Sequence, residues 1–210
     1  MRPKTFTFSP VTTSATGFVS NATGATWTLT NTATTDGMGH QVTIHNDAAT
    51  DHSAKTAVLV GTDVDGNAIT ETMNLPAGTA TTTSTKYFAT LTSITPSATI
   101  GVDTMDVGWT VPAIGPTFVV DYLKVTTGGI AMAAVVTGTI NYKVQHTLEN
   151  VFSTSNPSTA LNWLDHSTIT GKTASSDGNY AFPVRALRFM VTTVTNGATV
   201  SFSVLEGTPK

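Results

Sequence analysis

Apolar and polar residues alternate along most of this chain with a period of two. That is the pattern of strands with one face buried and one in water. "ATWTLTNT" (25–32) sets Trp27 and Leu29 against Thr26, Thr28 and Thr30, and "HQVTIHN" (40–46) turns Val42 and Ile44 inward. "TAVLVGT" (56–62) and "NAITETM" (67–73) place Val58 and Val60 on one strand face, and Ile69 and Met73 on the next strand. "TMDVGWTV" (104–111) alternates Met105, Val107, Trp109 and Val111 with polar or small residues. "TINYKVQHTL" (139–148) gives Ile140, Tyr142, Val144, His146 and Leu148 one side, and "TVSFSVL" (199–205) ends the series with Val200, Phe202 and Val204. "FPVRALRFMV" (182–191) is apolar on both faces, which predicts a central strand or one covered by a neighbouring subunit. "GIAMAAVV" (129–136) also has few polar counterparts and is read as packing at a subunit contact.

Gly, Asn and Pro separate these segments at intervals of roughly ten residues, the spacing of an all-β sandwich or barrel. Between the two strands of 56–73, Asp65-Gly66 is a preferred hairpin turn pair. "VPAIGPT" (111–117) interrupts the alternation and marks a domain boundary. The expected architecture is all-β: two β-sandwich (jelly-roll or Ig-like) domains, 26–111 and 112–210, with 1–25 as an extended N-terminal arm or first strand. Segment 149–180 is the longest loop-like stretch, and "STALNWLDH" within it suits a short helical turn.

Composition narrows the classes. Charged residues make up 11% of the chain and Thr roughly a fifth, so the strands carry a neutral hydroxyl surface. A net charge of −3, with ten Lys and Arg scattered along 210 residues, supplies no basic face for nucleic acid. The absence of Cys excludes disulfides, thiolate metal sites and Cys nucleophiles. No apolar run approaches the length of a membrane helix, and "TFTFSPVTTS" lacks the apolar core of a secretory signal. Synthesis in the cytoplasm is expected.

The candidate chemistry is thin. Asp63, Asp65 and Asn67 around Gly66 suggest a calcium loop, but Gly and Glu do not fall at the positions an EF-type loop needs. His40, His45 and His52, with Asp47 and Asp51, suggest zinc. Yet His40 and His45 face opposite ways on one strand, so these residues read as surface residues around a loop. His146, on an apolar face, reads as a hydrogen-bonded core residue. Glu71, Glu149 and Glu206 are isolated, Asp103 and Asp106 flank a strand start, and no carboxylate pair is marked. Gly128-Gly129 lacks the context of a phosphate loop. Trp163, with Asp165 and His166, suits either a sugar platform or an anchor for the long loop, and the anchor is favoured. One of Arg185 and Arg188 is expected to be buried and paired. No catalytic, cofactor-binding or metal residue is assigned, and no enzyme activity is expected.

The second half nevertheless resembles a C-terminal domain of tailed-bacteriophage virion proteins. The matching parts are the strand Tyr142–Thr147, the Trp163 loop, "FPVRALR" (182–188) and the closing strand Val200–Gly207. "GTDVDGNAITETMNLPAGTATTTSTKYFATLTSIT" (61–95) is similar to β domains of phage structural proteins, so the resemblance covers most of 25–207. It implies a virion component on the outer capsid surface, a decoration (cement) protein whose partner is the major capsid protein. It also implies a homo-oligomer, a trimer first and a dimer second, with no nucleic-acid or membrane partner. The N-terminal arm is then a candidate for strand addition onto a neighbour. The alternatives are a tail or head–tail connector component, and a carbohydrate- or receptor-binding module using Trp163 and 149–180.

Overall fold

β-branched residues dominate the alternating segments. In the computed structural model, which describes residues 3–121, 129–155 and 157–207, most of these segments are strands. Chain order runs β1 (Lys4–Phe8), β2 (Ser14–Ala22), β3 (Gly39–Asn46), β4 (Thr56–Thr62), β5 (Ala68–Asn74), β6 (Thr81–Phe88), β7 (Thr90–Pro96) and β8 (Met105–Ile114). It continues with β9 (Phe118–Val119), β10 (Ile130–Thr137), β11 (Ile140–Thr147), the short helix α1 (Pro157–Ala160), β12 (Leu164–Asp165), β13 (Ser176–Tyr180), β14 (Ala186–Val194) and β15 (Thr199–Glu206). The protein is nearly all-β, built from several antiparallel sheets.

Two compact units divide the chain: Thr13–Val111, and Met1–Thr12 together with Pro112–Lys210. Residues 1–25 are therefore shared, β1 belonging to the second unit and β2 to the first. The expectation that 1–25 serves a neighbouring subunit meets a direct competitor. β1 pairs along its whole length with β15 of the same chain, Lys4 opposite Val204 through Phe8 opposite Val200. β8 runs through the point of division, so Pro112 lies inside a strand instead of ending one.

In the first unit β2 pairs with β8, β3 lies between β8 and β6, and β5, β4 and β7 form a separate three-stranded sheet. Phe18, Val42, Ile44, Phe88, Met105 and Val107 from the one set share a core with Leu59, Ile69, Met73, Leu91 and Ile94 from the other. Two expectations are corrected here. On β4 the core face carries Ala57, Leu59 and Gly61, not Val58 and Val60. Every residue from Ala57 to Val60 is apolar, so the alternation leaves the phase undefined, and a one-residue shift swaps the faces. Residues 25–32 form no strand, although Trp27 is buried and Leu29 packs beside it. There, Thr30 Oγ1 and Asn31 Nδ2 donate to the carbonyls of Phe18 and Gly17, a local alternative to a sheet ladder.

The second unit pairs its strands in the order β1-β15-β10-β13, while β14 pairs with β11 on one side and with β9 and Ala113–Ile114 on the other. Its centre is aromatic. Phe189 of β14 stacks on Tyr142 of β11 at 5.1 Å and on Phe8 of β1 at 6.4 Å, and tilts against Phe202 of β15 at 5.5 Å. One ring thus joins both sets of strands. β14 is buried on both faces from Ala186 to Val191, as its two-sided apolar pattern predicts. In β10, Ile130, Met132 and Ala134 face the core, while Ala131 and Val135 are exposed. The 149–180 stretch holds more structure than expected, since α1, β12 and β13 all fall inside it.

Phe189→Ala is expected to cost about 3–5 kcal/mol, the range for emptying a packed aromatic site. Urea denaturation checks this as a fall in midpoint at unchanged m-value.

Candidate functional site

The hairpin of Val58–Met73 settles first. Asp63 is buried, and its Oδ1 accepts from the backbone amides of Asp65 and Asn67 at 2.9 Å each. Asn67 Nδ2 reaches both carboxylate oxygens, and Gly66 turns the chain at φ 83°. The carboxylate serves the turn. The calcium-like pattern is a hairpin tip.

The histidines correct the surface reading. His40 and His52 are buried, whereas His45 is half-exposed near Asp47. His40 Nε2 meets Asp36 Oδ2 at 2.9 Å and its Nδ1 lies 3.2 Å from the Thr110 carbonyl, so both ring nitrogens face oxygen. His52 Nε2 bonds Asp103 Oδ2 at 2.9 Å, and its Nδ1 faces Lys55 Nζ at 3.1 Å. Lys55 Nζ also donates to the Thr99 carbonyl, tying the turn after β3 to the turn before β8. Hydrogen bonds, from the Thr50 hydroxyl first and then from His52, hold the Asp103 carboxyl below the usual carboxylate range. The three histidines are not brought together, and among the described residues no group of three His, Asp or Glu is placed to hold a metal ion.

The isolated glutamates each close a different loop. Glu71 on β5 accepts from the amides of Thr85 and Lys86 on β6, at 2.7 and 2.9 Å. Glu206 accepts from the amide of Asp121 at 2.8 Å, and Asp106 from that of Asn21. Glu149 takes both the backbone amide and Nδ2 of Asn162, and these bonds hold its carboxyl below the usual range. Of the Gly128-Gly129 pair, Gly128 lies outside the described residues; Gly129 sits at φ 67° before β10.

The remaining candidate is the Trp163 loop of the second unit. Arg188 is buried, and it donates from Nε to Gln145 Oε1 at 2.9 Å and from Nη1 to the Ser158 carbonyl at 2.7 Å. Its guanidinium lies over the Trp163 ring at 4.3 Å, while Trp163 Nε1 donates to the Pro157 carbonyl. Gln145 Nε2 passes the contact on to Asp165 Oδ1, and Lys143 Nζ bonds Asp165 Oδ2 at 3.0 Å. Burial pushes the Asp165 carboxyl up, but the bonds from Gln145 and Lys143 outweigh it and leave it below the usual value. One face of Trp163 is therefore taken by Arg188, which favours the anchor over the sugar platform. Of the two arginines, Arg188 is the buried one, and Arg185 lies over the Phe152 ring at 5.4 Å.

Around this pinned loop four large apolar side chains meet solvent: Leu148, Phe152, Leu164 and Phe182, each more than half exposed at 61, 72, 53 and 52%. Leu164 is the register partner of His146, and Phe182 sits edge-on to the His146 ring at 5.7 Å. Leu148 follows Thr147, whose carbonyl accepts from the Arg185 amide. All four thus gather around the end of β11 and the start of β14. Sequence reasoning placed Leu148 on the buried face of its strand. The strand stops at Thr147, and that releases it. Phe152 and Phe182 carried a weak signal, aromatics set among Ser, Asn and Pro outside any alternating run.

No protein-family model matches the chain, and no curated protein matches it.

Arg188→Ala leaves Gln145 Oε1 and the Ser158 carbonyl without this donor. The expected loss is about 1–3 kcal/mol for each orphaned acceptor, together with faster proteolysis between residues 149 and 165. Denaturant midpoints and limited proteolysis with mass mapping check both.

Proposed function

We propose that this chain is a structural protein of a tailed-phage virion, a decoration (cement) protein that binds the outer capsid surface and bridges neighbouring capsid subunits. The sequence resemblance over most of 25–207 supports this reading. The structural observation that carries it is the group of exposed apolar residues Leu148, Phe152, Leu164 and Phe182. Single exposed apolar residues are ordinary on a protein surface, but four of them near the same strand ends suit a protein-docking face. Arg185 over Phe152 adds the residue types that dominate the centres of such faces.

On this reading both units are sandwiches of the jelly-roll or Ig-like kind, and the protein acts as a homo-oligomer, a trimer before a dimer. The partner is the major capsid protein. Binding the assembled shell and not the loosened one shifts the equilibrium toward the shell by mass action. A neutral hydroxyl surface makes such contacts less sensitive to salt than charge pairs.

Phe152→Asp and Phe182→Asp are expected to weaken binding to purified capsids by roughly 30-fold or more, a loss of about 2 kcal/mol. Circular dichroism should stay unchanged. Undiminished occupancy removes this face from the proposal. A cryo-electron microscopy map of the native particle places the chain: density at regular points on the outer shell supports decoration. Density at one vertex or along the tail makes it a connector or tail component.

A further inference from the structure

The apolar run 129–136 has an outward face of its own. In β10, Ile130, Met132 and Ala134 point into the core, whereas Ala131 and Val135 are exposed and Ala133 is half-buried. Val135 is 58% exposed. The neighbouring strands continue this face with neutral residues. Leu205 and Ser203 of β15 stand opposite Ala131 and Ala133, and Thr5 of β1 stands opposite Ser203. The edge strand β13 then brings a charge, Asp177 opposite Ala133. Ala131 and Ala133 end at Cβ and Gly178 has no side chain, so the face dips there into a hollow of about 310 Å³, lined also by Pro3, Leu205 and Asp177. That is the small end of the range for ligand cavities, roughly 300–1,000 Å³, and gives room for one long side chain.

A search for unpaired charges in this unit leads to the same place. Lys4 lies over the Phe6 and Phe118 rings, Lys143 and Asp165 bond each other, and Glu149 holds Asn162. Arg185 lies over Phe152, Arg188 is bound to Gln145 and Ser158, Glu206 takes the Asp121 amide, and Asp121 is itself engaged. Among the described residues of the unit, Asp177 and Lys172 are the two charged side chains left without a partner. They are opposite in sign and five residues apart. The backbone that carries them is held. Lys172 exchanges both backbone bonds with Tyr142 at 2.9 Å, and the Tyr142 hydroxyl bonds the Ala174 carbonyl and Ser176 Oγ at 2.8 Å each. Ser175 Oγ accepts from the Val136 amide at 3.0 Å. Charges carried on fixed backbone cost less ordering when they dock.

We propose that this face is a self-association site: Lys172 of each copy enters the hollow of a second copy, its aliphatic stem along Ala131 and Ala133 and its ammonium on Asp177. A lysine has the chemistry that the hollow matches, an apolar stem for an alanine floor and a positive head for a carboxylate. With both charges so near in the chain, a two-fold axis satisfies both contacts at once, since such an interface pairs i with j and j with i. An exposed ion pair by itself stabilises little. Here the stem and Val135 supply apolar contact, and the charges select the partner and fix the register. The inference rests on the homo-oligomer of the reading above and takes its dimer form. It uses none of the residues of the capsid-docking face.

Analytical ultracentrifugation of the intact chain over a range of concentrations tests this. The unaltered chain should show a monomer–dimer equilibrium. K172D and D177K should each raise the dimer dissociation constant by about tenfold or more, because like charges then face each other. The double variant K172D/D177K should return it to within about threefold of the original. A133F, which fills the hollow and changes no charge, should also weaken the dimer. Circular dichroism should stay unchanged throughout. A dimer that both single reversals leave intact, or one that the double variant does not restore, overturns the pairing. Lost capsid occupancy with an unchanged dimer assigns the hollow to the capsid protein and overturns it too. A chain that stays monomeric at about 1 mM overturns the site together with the homo-oligomer, while capsid occupancy still judges the decoration reading by itself. Should a charge reversal unfold the chain, K172Q and D177N replace it, and unchanged dissociation constants in both overturn the pairing.

Discussion

Every buried or loop-bound backbone amide needs an acceptor, and at several points of this chain a carboxylate supplies it in place of a backbone carbonyl. Asp63 satisfies two amides of a hairpin tip, Glu71 ties two amides of β6 to β5, Glu149 fixes Asn162, and Glu206 fixes Asp121. Charged acceptors make stronger hydrogen bonds than neutral ones, so a few acids suffice to fix many turns. An acid engaged by backbone donors is oriented toward its own fold and has fewer lone pairs left for another partner.

Much of the fold was legible from alternation, because the strand period is short and Thr marks the outward positions. It worked best where one face was clearly polar, as in β11 and β15, and where both faces were apolar, as in β14. It failed where the chemistry gave no phase, in the Ala57–Val60 run, and where side chains replaced ladder bonds, around Thr30 and Asn31. β13 was invisible because Ser176, Asp177, Gly178 and Asn179 all disfavour strands, and only Tyr180 is buried.

The histidines were the larger miss. A buried imidazole is read as unlikely until its partner is known, and the partners are set by the fold: Asp103 lies 51 residues from His52. Asp36 is only four residues before His40, but nothing in the sequence separates that spacing from chance. Arg188 was flagged by its position on a two-sided strand, yet its partners Gln145 and Ser158 come from β11 and α1. The four exposed apolar residues, by contrast, are defined by what does not cover them, a property of the finished surface alone.

In sequence the first unit interrupts the second: β1 lies before it in the chain, and the strand that β1 pairs with, β15, lies after it. During synthesis residues 13–111 emerge as a complete block and are free to fold early, while Lys4–Phe8 stays without its partner until β15 has been made. Closing that long loop is slow but adds little to the equilibrium cost, since loop entropy grows only with the logarithm of length. The pairing of β1 with β15 therefore follows the folding of the block between them, and the Phe8 ring reaches Phe189 only when that seam closes.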